Sequence, residues 1–141
     1  MLFRSIGDSV DDITATGNDT IQGGTGDDYI EGDGGADSLL GQDGNDTVSG
    51  GAGNDNIDGG ANDDSLYGDA DNDTVFGDTG DDRIEGGAGD DTLIGFDGSD
   101  TIFGGDDADS ILGGAGADSL FGENGSDTLI GGAGEIGRAH V

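Results

Sequence analysis

The sequence predicts an all-β parallel solenoid: two short-stranded parallel sheets, with eighteen residues to each coil. Two observations carry this. Ile21, Ile30, Leu39, Val48, Ile57, Leu66, Val75, Ile84, Leu93, Ile102, Ile111, Leu120 and Leu129 lie nine residues apart without one insertion. An Asp stands two residues before each of them: Asp19, Asp28, Asp37, Asp46, Asp55, Asp64, Asp73, Asp82, Asp91, Asp100, Asp109, Asp118 and Asp127. A fixed period of this kind is the mark of stacked repeats.

Within each nonapeptide, numbered so that Asp is sixth and the aliphatic residue eighth, the first position is Gly in every unit from Gly23 to Gly131. The fourth is Gly except at Asn62, Asp71 and Asp107. Asn and Asp are the non-glycine residues that best tolerate positive φ, so a left-handed backbone is expected there. A stretch such as "GGAGDD" then reads as a tight turn, and the following "TLI" as a short strand, with Leu93 inside and Thr92 and Ile94 outside. One unit supplies one turn and one strand, and two units close a coil. Seven coils at about 4.8 Å would make a rod about 35 Å long. At the ninth position, outside, Phe76, Ile94, Leu112 and Ile130 should stack into a ridge on one sheet, and Phe103 and Phe121 on the other.

Composition alone points elsewhere. Of 141 residues, 33 are Asp or Glu and 3 are Lys or Arg, for a formal charge of −30, and only 30% are apolar. Such a chain has too little apolar surface to collapse against its own repulsion. Nucleic acid is excluded as a partner because phosphates would meet charge of the same sign. Cations are the natural partner. There is no Cys, hence no disulfide framework and no thiolate metal site, and no apolar run reaches the length of a transmembrane helix.

"GGAGNDNID" (50–58) and "GGAGDDTLI" (86–94) carry a resemblance to a known family, the haemolysin-type calcium-binding repeats, or RTX repeats, of secreted bacterial proteins. The resemblance spans residues 14–134. It implies a parallel β-roll with Ca²⁺ between the turns. It also implies that the thirteen sixth-position Asp residues are side-chain ligands, paired one coil apart, as Asp73 with Asp91, with turn carbonyls completing the shell. Thirteen units contain eleven such pairs, hence up to about eleven ions. Ca²⁺ takes six to eight oxygens, and glycine-rich turns expose carbonyls to it. Binding is expected to be weaker or distorted in "GDGGAD" (32–37), "GGDDAD" (104–109) and "GGAGAD" (113–118), where Ala is fifth, and at Asn62, Asp71 and Asp107.

Residues 6–13 read as a degenerate repeat or partial cap. Residues 1–5 and 135–141 contain "LFRS" and "EIGRAHV", which fit no repeat and resemble the translation of a sequencing-library adapter. They are expected to be artefactual, leaving 14–134 as a fragment of a longer protein. The acidic pairs recur with the repeat, so no single pair is set apart for catalysis, and no nucleophile, metalloprotease or phosphate-loop motif is present. The fragment is expected to be no enzyme but a calcium-dependent folding module of a secreted, extracellular protein exported by type I secretion. The alternatives are the repeat region of an adhesin or surface-layer protein, or the C-terminal module of a secreted protease or lipase. The expected partners are calcium ions, with packing of the ridge on a neighbouring domain or on a second copy.

Overall fold

The computed structural model describes residues 2–4, 17–133 and 138–140, so residues 6–13, expected to form a partial cap, lie outside it. Fifteen strands follow in order: β1 (Leu2–Arg4), β2 (Thr20–Thr25), β3 (Tyr29–Glu31), β4 (Ser38–Asp43), β5 (Thr47–Ala52), β6 (Asn56–Ala61), β7 (Ser65–Ala70), β8 (Thr74–Thr79), β9 (Arg83–Ala88), β10 (Thr92–Asp97), β11 (Thr101–Asp106), β12 (Ser110–Ala115), β13 (Ser119–Asn124), β14 (Thr128–Ala133) and β15 (Arg138–His140). Even-numbered strands, with β1 at one end, form an eight-stranded parallel sheet. The odd-numbered strands from β3 to β15 form a seven-stranded one.

Each repeat strand pairs with the strand one coil away in a register of eighteen residues, as Leu93 with Val75 and Ile111. Thirteen repeat strands at two per coil make six and a half coils rather than seven, a rod about 30 Å long. Twelve eighth-position side chains, Ile21 to Leu120, are buried and form one continuous core between the sheets. Leu129 is only partly buried, because β14 is the last strand of its sheet among the described residues.

The strands are longer than the three residues expected. Most run six, through the seventh to ninth positions and on through the first to third of the next unit, leaving only the fourth to sixth for the turn. Coils of identical length keep each N–H beside the carbonyl of the next coil, so pairing continues wherever the backbone stays extended.

The second position also has positive φ throughout, even where it holds Gln42 (86°), Phe96 (76°) or Glu123 (68°). At the fourth position Asn62 (82°), Asp71 (76°) and Asp107 (77°) take the left-handed backbone of the glycines they replace, as expected.

The ninth-position register holds. Phe76, Ile94, Leu112 and Ile130 align on β8, β10, β12 and β14. On the other sheet Phe103 and Phe121 stack with centroids 4.9 Å apart. The backbones of β1 and β15 pair in parallel with β2 and β13. An open edge accepts any extended segment through its unpaired N–H and C=O groups, whatever the side chains.

Candidate metal centre

The sixth-position Asp closes each turn and enters the next strand, which directs its side chain inward. Asp28 to Asp118 are 1–3% exposed, Asp19 is 7% exposed, and Asp127, near the end of the rod, is half-buried. From Asp37 to Asp127, one carboxylate oxygen of each has a fixed task. The backbone N–H of an Asp donates to Oδ1 of the Asp one coil further on: Asp55 to Asp73 at 2.8 Å, Asp73 to Asp91 at 2.8 Å, Asp91 to Asp109 at 3.0 Å. Eleven such rungs run from Asp19 through Asp127 without a gap. The structure thus brings together the pairs one coil apart that the sequence suggested.

The other oxygen is left over. Oδ2 of Asp37, Asp46, Asp55, Asp64, Asp73, Asp82, Asp91, Asp100 and Asp109 is buried with no hydrogen-bond partner. A buried carboxylate oxygen without a partner is costly and calls for a cation or a proton. Arg83 is the one basic residue between 17 and 133, and it does not supply the charge. Arg83 lies on the outer face, where it bonds Glu85 at 2.9 Å and covers the Phe103 ring at 4.6 Å.

The first-position glycine is explained here by space. A Cβ on Gly86 would stand 2.4 Å from Asp91 Oδ2 and 2.6 Å from the Gly104 carbonyl oxygen, and the same collision recurs along the rod. Glycine lets the backbone close against the carboxylate.

Burial raises the nine carboxyls from Asp37 to Asp109 above the ordinary value of 3.8. It brings Asp64 and Asp73 to about 7, and Asp55, Asp82, Asp91, Asp100 and Asp109 to about 6. Asp37 and Asp46 are raised for the same reason. In each case the N–H rung works in the opposite direction, and neighbouring carboxylates add to the rise.

The donor set fits a hard cation: anionic oxygens, backbone carbonyls and glycine at the points of closest approach. No three acidic side chains converge on one point among the described residues, so carbonyls must complete any shell.

Sequence reasoning missed the fifth position. There the side chain reaches along the rod in the other direction, and Oδ1 accepts the N–H of the fifth residue one coil further on, as Asp63 from Asp81 at 2.9 Å and Asp81 from Ser99 at 2.7 Å. The frequency of Asn and Asp at this position was the available signal.

No match to this chain is found among curated proteins. The family model of the RTX calcium-binding nonapeptide repeat matches four times, at residues 13–48, 40–75, 76–111 and 103–135. With that match covering nearly all of the rod, and with the β-roll and its buried carboxylate ranks in place, the chain belongs to the RTX calcium-binding repeat family.

Proposed function

We propose that this chain is a calcium-dependent folding module, in which the sixth-position Asp residues, Asp19 to Asp127, are the side-chain ligands and turn carbonyls complete each shell. The observation that carries this is the rank of buried Oδ2 atoms without partners. In the absence of a cation these atoms place unneutralised charge beside the core, and folding is opposed. Calcium supplies positive charge between coils that the sequence itself lacks, and burial of the aliphatic core follows. Interior Asp residues such as Asp73, with neighbours in both directions, would serve two ions. Up to about eleven ions fit the eleven pairs.

The role is structural rather than catalytic, because every buried carboxylate among the described residues belongs to the repeat and none is set apart. A secreted, extracellular setting suits the reading, since calcium is scarce in cytosol and RTX repeats are typical of secreted proteins. Far-ultraviolet circular dichroism tests the proposal: coil in chelator, β-structure in millimolar Ca²⁺, and poor substitution by Mg²⁺, which prefers a small octahedral shell and keeps its water. A β-spectrum insensitive to chelator refutes it.

A further inference from the structure

The fifth-position bonds are graded by residue type. Where the acceptor is Asp they are short: Asp27 from Asn45 at 2.9 Å, Asp63 from Asp81 at 2.9 Å, Asp81 from Ser99 at 2.7 Å, Asp90 from Ala108 at 2.9 Å. Where it is Asn they are longer: Asn18 from Ala36 at 3.1 Å, Asn72 from Asp90 at 3.2 Å, Asn54 from Asn72 at 3.4 Å. An ionised acceptor strengthens and shortens a hydrogen bond. Ala36 and Ala108 offer no acceptor, and Asn45 and Ser99 form no such bond with Asp63 and Ala117.

The gaps are not scattered. In chain order the joints from 18 to 36 and from 27 to 45 are clamped. The next two, 36 to 54 and 45 to 63, are not. The five from 54 to 72 through 90 to 108 are all clamped. The last two, 99 to 117 and 108 to 126, are not. Each coil-to-coil interface has two turns, so both unclamped pairs fall on the two turns of a single interface. The sixth-position rungs and the strand pairing cross both interfaces, for example through Asn56 N–H to the Asp37 carbonyl and Ser65 N–H to the Asp46 carbonyl, and one exposed side-chain bond crosses each, Ser49 Oγ to Asp69 Oδ2 and Asn124 Nδ2 to Asp106 Oδ1. The interfaces are therefore weakened seams rather than breaks.

We infer that the fifth-position side chains divide the roll into three cooperative blocks: an N-terminal block carrying turns 18 to 45, a central block carrying turns 54 to 108, and a C-terminal block carrying turns 117 and 126. The reasoning rests on the calcium-folding reading above and deepens it. In a quasi-one-dimensional stack, stability is a sum over coils and interfaces, so an interface lacking both fifth-position bonds, with only an exposed side-chain bond in their place, is where the stack parts. The polarity is part of the inference. An Ala at the fifth position leaves its own N–H clamped, as Ala36 and Ala108 show, and loosens the turn one coil towards the C-terminus.

Hydrogen exchange of the full chain in saturating Ca²⁺, read by mass spectrometry, tests this. Protection should be uniform from about Thr74 to Thr101 and should step down between Val48 and Ile57 and between Ile111 and Leu120. Ala36→Asp with Asn45→Asp should clamp the first seam and raise protection of residues 20–47 roughly tenfold or more. Asn54→Ala with Asp63→Ala should create a new step between Ile57 and Val75. Protection that is uniform along the rod, or that declines smoothly towards both ends as fraying alone would give, overturns the inference. So does a seam-repair variant whose N-terminal block exchanges as in the parent. The same exchange measured after calcium removal judges the calcium reading separately: if it is unchanged, that reading fails while the block pattern is still decided.

Discussion

Protons should do part of the work of calcium. Seven buried carboxyls sit at about 6 or about 7 instead of 3.8. A carboxyl whose folded value is raised binds more protons folded than unfolded, so metal-free stability falls as pH rises. Below 3.8 both states are protonated and no penalty exists. The penalty grows between pH 3.8 and about 6–7 and is complete above that. Each carboxyl then opposes the metal-free fold by roughly 3–4 kcal/mol at pH 8. Even a fraction of this, repeated over seven neighbours, matches the whole 5–15 kcal/mol stability typical of a domain. The metal-free chain should therefore be coil at pH 8 and acquire a β-spectrum on acidification, with its transition between about pH 4 and 6. Circular dichroism in calcium-free buffer follows this directly. A chain that stays coil at pH 4.5, or folds only below pH 4 where ordinary surface aspartates titrate, refutes the burial argument.

Asp73→Ala should raise the calcium midpoint of folding several-fold more than Asp58→Ala. Asp73 is buried and holds the Asp55 N–H, whereas Asp58 is half-buried on the outer face with Asp78 beside it; equal shifts in a calcium titration would mean the register of ligands is wrong. Gly86→Ala places a Cβ against a carbonyl and a carboxylate, and should cost about 1–3 kcal/mol in the calcium-loaded form, seen as a lower thermal midpoint. Changing Phe76, Ile94, Leu112 and Ile130 together to Thr should leave the calcium-folded spectrum intact while reducing any self-association seen by sedimentation; a parent chain already monomeric at high concentration removes self-pairing as the role of the ridge.

The period of nine was legible because each unit needs one apolar residue inside and one carboxylate at the turn, and a rod with no insertions lets linear order stand for spatial order. That was enough for two parallel sheets, a core of eighth-position side chains and the ninth-position ridge; the pairing of Asp73 with Asp91 was implied by the resemblance to the RTX repeats. The positive φ at the fourth position was readable from Asn62, Asp71 and Asp107.

The second position was not readable in this way. Phe96 and Gln42 are poor choices for a left-handed backbone, and they adopt it because neighbouring coils on both sides hold the strand to their own course. Local preference yields there to eighteen-residue register.

The three-dimensional arrangement also decided which oxygen does what. In sequence a sixth-position Asp is one carboxylate among many. Stacking gives its Oδ1 to the N–H of the coil before and leaves Oδ2 buried without a partner. Stacking likewise turns the fifth position from a polar turn residue into a clamp on the following coil. The order of residues shows what repeats and which side faces inward. Which polar atoms meet across coils is settled only on stacking, because those meetings join residues eighteen apart whose contact depends on the rise and direction of the coil.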